Sequence, residues 1–245
     1  IIMKLTDKVT IITGGATGIG KGIAKCFAKE GAKIAILARR SKEGNAVTKS
    51  IINAGGNAIF VSCDVSNPTN VENSVNEVIS KYNSIDILIN NAGIASMNHA
   101  LLTAIDTVHK VLNTNVVGTF LFCREAAKLM QRNKYGRIIN FSTVAVPLKL
   151  EGEAIYASSK AAVVSLTQIL ARELADNGIT VNAIGPTPVK TDLIKSVPVE
   201  KIERLIEKQA IHRYGEYDDI INVIDFFIKP ESNFITGQVI YLGGV

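Results

Sequence analysis

Tyr156 and Lys160 stand four positions apart in Tyr156-Ala157-Ser158-Ser159-Lys160, a spacing that puts both on one face of a helix. A free tyrosine releases its proton near pH 10 (roughly), too high for easy proton traffic at neutrality. A neighbouring ammonium favours the phenolate and should bring that value down. Such a pair can protonate a carbonyl oxygen as hydride reaches its carbon, or accept the proton of an alcohol in the reverse direction. On spacing alone, an exposed tyrosine and lysine would read the same way.

A second cluster binds rather than reacts. Thr13-Gly14-Gly15-Ala16-Thr17-Gly18-Ile19-Gly20 follows a short β-branched run and leads into a segment with Ile19, Ile23, Ala24 and Phe27 at helical spacing. Glycines let the backbone turn tightly and come close to a ligand. The helix start offers free N–H groups and a positive dipole end to a pyrophosphate. A plain tight strand–helix turn is the alternative. The next strand ends in Ala38-Arg39-Arg40. Dinucleotide folds that prefer NAD usually place Asp or Glu here, to accept from the ribose 2′-OH. A guanidinium instead pairs with a 2′-phosphate. Arg39 and Arg40 therefore favour NADP(H) over NAD(H), against a reading as two surface arginines.

The elements that must position these residues alternate along the chain. Strand-like runs cover residues 8–13, 33–37, 57–62, 85–89, 137–141, 180–184 and 239–242. Helical stretches cover 18–30, 42–54, 68–82, 101–132 and 155–177. Repeated βαβ units with apolar strands predict an α/β fold. The expectation is one Rossmann-type, doubly wound sheet of about seven mostly parallel strands, with helices on both faces. No low-complexity linker divides the chain, so residues 1–245 read as a single domain. The stretch 190–215 mixes Pro198 with an amphipathic run (Ile202, Leu205, Ile206) and reads as a helical substrate lid, or as plain surface helix.

The spacing TGxxxGIG resembles the short-chain dehydrogenase/reductase family rather than the GxGxxG of other dinucleotide folds. Further matches follow in order: Cys63-Asp64-Val65, Asn90-Asn91-Ala92-Gly93, Asn115, Tyr156–Lys160, and Val181-Asn182-Ala183-Ile184-Gly185-Pro186. The resemblance implies that Tyr156 is the general acid/base and that Lys160 also binds the nicotinamide ribose. It implies that Asn115 helps hold a water-linked proton path. Gly14, Thr17, Gly18, Ile19 and Gly20 would face the pyrophosphate. Asp64 and Val65 would flank the adenine, and Asn91, Ala92 and Gly93 would lie beneath the ribose region. Pro186, Thr187, Val189 and Thr191 would lie near the nicotinamide. The family's catalytic serine stands thirteen residues before the tyrosine; here that position is Thr143, with Ser142 beside it as the fallback. Where the family usually has Pro-Gly, this chain has Pro186-Thr187, which forfeits the freedom of a glycine at positive φ.

Within the family the chain is most similar to 3-oxoacyl-acyl carrier protein reductases. That implies NADPH-dependent reduction of a 3-oxoacyl thioester to the 3-hydroxyacyl product, in fatty acid biosynthesis. A reductase of a small ketone, sugar or sterol alcohol is the alternative, and a non-catalytic dinucleotide sensor is the reading from another class. A carrier protein is acidic, so it would need a basic docking surface. Arg124, Lys128, Arg132, Lys134 and Arg137 cluster near the end of a long helix and could supply one, although Asn177 is uncharged where carrier-docking relatives tend to be basic. The many apolar residues of 155–177 suggest burial on a second side, and the resemblance implies a homotetramer or homodimer.

Composition narrows the rest. The net charge of +5 is scattered, which argues against a nucleic-acid partner. No apolar run reads as long enough to span a bilayer, and residues 1–8 lack the core of a secretory signal. Three cysteines, none in a CxxC, suggest a reduced, cytoplasmic setting. His99, His109 and His212 lack ligand spacing, so no metal is expected.

Overall fold

The computed structural model describes residues 4–191, 194 and 197–245. Its seven strands are β1 (Val9–Thr13), β2 (Lys33–Ala38), β3 (Asn57–Ser62), β4 (Ile87–Asn90), β5 (Gly136–Phe141), β6 (Ile179–Gly185) and β7 (Val239–Tyr241). They form one sheet in the order β3-β2-β1-β4-β5-β6-β7, and every pairing is parallel. The fold is the expected Rossmann-type doubly wound sheet.

The strands are apolar on both faces because helices cover both faces. Val9, Ile11, Leu37, Leu88, Ile138 and Val181 pack under α3 (Pro68–Tyr82), α5 (Gly118–Met130) and α7 (Ala154–Glu173). Ile12, Ile34, Ile36, Ile89, Ile139 and Ile184 face the other way. They pack against α1 (Gly18–Lys29), α2 (Ser41–Asn53) and α9 (Tyr217–Ile228). This odd–even division is the period of two of a strand, read out in three dimensions. The strand alternation leaves α9 unmarked, although Glu216 and Asp219 form a reciprocal capping box at its start.

Two expectations need correction. The stretch 101–132 is not one helix. It divides into a 3-10 turn (Ala100–Leu102), α4 (Ile105–Leu112), a π-helical turn (Asn113–Val117) and α5. Ala104 breaks the first junction with extended backbone (φ −64, ψ 145). The π turn adds a residue to the winding and carries Asn115 into the interior. The second correction concerns membrane length. Ala154–Glu173 is long and apolar enough to cross a bilayer by length and composition. Here it lies on β5 and β6, with Val163, Thr167, Leu170 and Ala171 buried.

The stretch read as a lid leaves the sheet after β6. Val189 and Gly215 pair in an isolated bridge, so the excursion begins and returns at one point. It carries α8 (Val199–Glu207), whose Ile202 is buried. Residues 192, 193, 195 and 196 of that stretch lie outside the described residues.

Candidate active site

Strand order reverses between β1 and β4, and ligands of open α/β sheets collect at such a point, beyond the carboxyl ends of the strands. A cleft of about 680 Å³ opens there. Its floor and walls include Gly14, Thr17, Gly18, Ile19, Arg39, Arg40, Val65, Asn91, Ala92, Gly93 and Thr191. Gly14 turns the chain at φ +66, a left-handed conformation that favours glycine. The Asn91 amide locks this turn by donating to the carbonyls of Thr13 (3.1 Å) and Gly14 (3.2 Å). Gly20 does not line the cleft. A Cβ there would sit 2.5 Å from the Gly14 carbonyl oxygen, so Gly20 lets α1 approach the turn closely. Thr17, at the N-cap of α1, gives no side-chain capping bond, which leaves the first-turn N–H groups for an anion. A dinucleotide fits this cradle: open backbone at the turn, uncapped donors, and two guanidinium groups at the rim.

Arg40 donates from Nη2 to Thr17 Oγ1 at 2.9 Å, so it reaches over the turn. Asp64 departs from the expectation. Its carboxylate accepts from the Ser66 N–H (3.0 Å) and hydroxyl (2.7 Å), and Cys63 and Val65 line the cleft instead. Burial pushes its carboxyl up, but the Ser66 bonds and the Arg39 charge outweigh that and hold it below its ordinary value.

A smaller cavity of about 130 Å³ adjoins the cleft and shares Ile19, Asn91, Gly93 and Thr191 with it. Tyr156, Lys160 and Thr143 line it, as do Pro186, Thr187 and Val189. The Thr143 Oγ1 accepts from Ala145 N at 3.3 Å, and its hydroxyl acts to lower the Tyr156 phenol. Ser142 also borders the cavity, but its Oγ turns to the Lys160 carbonyl at 3.4 Å. Thr187 is not among the residues at positive φ, so threonine carries no backbone strain there; its buried hydroxyl has no hydrogen-bond partner.

The electrostatics differ from the spacing argument. The Tyr156 phenol is pushed up to about 12, first by burial and second by the Glu153 carboxylate, with Thr143 opposing. Burial pushes Lys160 down to about 8. Its ammonium donates to the Phe141 carbonyl at 2.7 Å. In this arrangement the phenol stays protonated through neutrality, as a proton donor must.

Asn115 is fully buried and braces the site. Its amide oxygen accepts from Ile94 N (2.9 Å), and its nitrogen donates to Ile94 O (2.9 Å) and Ser159 Oγ (3.0 Å). Ser159 in turn donates to the Tyr156 carbonyl at 2.7 Å. A Cβ on Gly93 would lie 3.3 Å from both Asn115 Oδ1 and Lys160 Nζ, so only glycine fits between them without displacement. A second brace lies deeper. Asn90 Nδ2 donates to Asn140 Oδ1 (2.9 Å), and Asn140 Nδ2 donates to Thr167 Oγ1 (2.9 Å), tying β4 and β5 to α7. Sequence reading missed this chain, and it missed Glu153, whose one signal is its place three residues before Tyr156.

The basic cluster is smaller than expected. Arg137 is buried at the start of β5, where its guanidinium faces the Tyr135 ring and bonds to Asn233. Arg124 and Lys128 both pair with Glu125.

Comparison with known proteins agrees with this geometry. A family model described as enoyl-(acyl carrier protein) reductase matches residues 14–244. A 3-oxoacyl-[acyl-carrier-protein] reductase of Synechocystis sp. is 36% identical over 242 residues, covering 98% of this chain and 97% of that one. A Staphylococcus aureus protein of the same name is 35% identical over 243 residues, 99% of this chain and 98% of the other. Among solved structures, a short-chain type dehydrogenase/reductase from Mycobacterium marinum superposes with a TM-score of 0.92 at 32% identity, covering 99% of this chain and 96% of that one. An actinorhodin polyketide ketoreductase variant solved with NADPH gives 0.90 at 30% identity, covering 97% and 96%. The chain belongs to the short-chain dehydrogenase/reductase family of NAD(P)-dependent oxidoreductases.

Proposed function

We propose that this protein uses NADPH to reduce the ketone of a 3-oxoacyl thioester to the 3-hydroxyacyl product. One observation carries the reading: Thr143 and Tyr156, both bearing hydroxyls, line one cavity with Lys160, and that cavity adjoins the dinucleotide cleft. Two hydroxyls at one point suit a carbonyl oxygen, which accepts two hydrogen bonds. The printed names of the Synechocystis and Staphylococcus relatives point to the same substrate class.

When bound, the nicotinamide supplies the hydride. Thr143 orients the substrate oxygen, and Tyr156 gives it a proton as charge develops. Lys160 anchors the ribose side, and Asn115 positions the backbone at Ile94 and Tyr156. Arg39 and Arg40 select the 2′-phosphate of NADPH. The helix α8 within 190–215 serves as part of the substrate lid, with Leu205 on the cavity wall. Leu112, Val117, Phe120 and Ile169 remain exposed on α4, the π turn, α5 and α7, which fits a homodimer or homotetramer. Three unpaired cysteines fit the cytoplasm.

The small cavity favours a second reading, a free small ketone. Following NADPH absorbance with a 3-oxoacyl thioester and with simple ketones tests both. Tyr156→Phe should lower kcat by about a hundredfold or more while NADPH binding survives. Near-normal turnover in that variant would exclude Tyr156 as the acid.

A further inference from the structure

We propose that Glu153 screens substrates by charge, admitting a neutral 3-oxo group to Tyr156 and turning away one that bears a free carboxylate; this rests on the carbonyl-reductase reading of the same cavity. Glu153 precedes the first residue of α7 and lines the cavity beside Tyr156, Met97, Leu150 and Leu205. It stands at the N-cap position, yet its carboxylate makes no capping bond, and among the described residues it accepts no side-chain hydrogen bond. Packing therefore does not account for the carboxylate.

Among the described residues, Glu153 and Lys160 are the acidic and basic side chains that line the cavity. Lys160 gives one of its three N–H groups to the Phe141 carbonyl, and the proposed mechanism assigns the ribose side to the rest. Among the described residues, the cation acting on Glu153 is Lys201 of α8, which does not line the cavity. Its Nζ lies 3.9 Å from where a Gly152 Cβ would be. Burial raises the Glu153 carboxyl above its ordinary value and Lys201 opposes the rise. Glu153 and Tyr156 line the same cavity, three residues apart along the chain.

Substrate chemistry turns this placement into selectivity. In a 3-oxo acid the carboxylate is separated from the ketone carbon by one methylene. Holding the ketone oxygen at Tyr156 keeps that anion in the cavity that Glu153 also lines. In a thioester, ester or amide the same carbon is neutral. Like charges in one partly dry pocket cost about a factor of ten or more in binding.

The test compares acetoacetate with acetoacetamide, which match closely in shape and differ in charge. The reading is the ratio of their kcat/KM values, because changing Glu153 also alters the Tyr156 acid and moves both rates. Wild type should favour the amide by about tenfold or more, Glu153→Gln should bring the ratio near one, and Glu153→Lys should invert it. Glu153→Asp keeps the charge and should keep the discrimination. An unchanged ratio in both Glu153→Gln and Glu153→Lys overturns the proposal. If neither compound is reduced, dissociation constants for the same pair are measured by calorimetry with NADP+ bound. A carboxylate excluded by wild type and accepted by Glu153→Gln then upholds the filter while the reductase reading falls. Equal affinities, or no binding of either compound, count against the filter.

Discussion

Threonine at position 143 offers the same hydroxyl as serine but adds a methyl that restricts χ1. In the cavity that hydroxyl acts on the Tyr156 phenol, while the Ser142 hydroxyl is turned to the backbone of Lys160. Thr143→Val should therefore impair turnover far more than Ser142→Ala, and Thr143→Ser should retain most activity. Steady-state kinetics of the three variants decide it; the reverse ranking would move the role to Ser142. The arginines argue at the same scale. Arg40 already reaches over the phosphate turn to Thr17, supplying a cation beside a position where the chain itself has none. Arg40→Ala should weaken NADPH binding by about tenfold or more, the scale of one charge-assisted hydrogen bond, and leave NADH nearly unaffected. Fluorescence titration with each dinucleotide reads this directly, and an equal loss for both would show that Arg40 does not read the 2′-phosphate.

At the scale of elements, α7 carries Tyr156, the proposed proton donor, together with Lys160 and much of the helix layer under β5 and β6. Burying Lys160 has a cost. Its folded pKa of about 8 lies below the ordinary 10.5, so the unfolded chain binds more protons between those values. Stability from this group rises with pH across that window, and the full penalty is present below about pH 8. Lys160→Met should therefore stabilise the fold near neutrality, by about 1–3 kcal/mol, and the gain should shrink as pH climbs from 8 toward 10.5. Denaturant melts at several pH values check it; a gain that grows with pH would be inconsistent with a depressed lysine. The strands and the phosphate turn were legible because apolar periodicity and glycine punctuation are local signals. The π turn at Asn113–Val117 was not, because it depends on Asn115 bonding to Ile94 and Ser159, far away in sequence. The Tyr156 proton affinity was misjudged for a related reason. Helical spacing reveals Lys160, but not the burial and the Glu153 charge that push the Tyr156 phenol up.

For the whole molecule the question is how a large substrate reaches the cavity. Arg132 and Lys134 remain exposed, outside any ion pair with Glu125, and they precede β5. Phe141, at the far end of β5, lines the catalytic cavity. A six-residue strand spans about 20 Å, so this basic corner lies at the opposite edge of the sheet from its own site. The prediction is that a carrier protein docked there serves a neighbouring subunit of the proposed oligomer. The exposed apolar residues on α5 and α7 supply a surface for such a neighbour, with Phe120 at 41% and Ile169 at 52% exposure. Phe120→Glu combined with Ile169→Glu should reduce the assembly to the mass of one 26.3 kDa chain in light scattering. In that variant kcat/KM should fall much further for a carrier-bound thioester than for a short thioester analogue. Arg132→Glu with Lys134→Glu should reproduce the selective loss without dissociation, and high salt should weaken the carrier's advantage in wild type. If charge reversal leaves the carrier substrate untouched, the basic corner is only the usual cationic end of a helix, and the free-ketone reading gains. If dissociation affects both substrates equally, the neighbour supports the fold of each site and takes no part in delivering substrate.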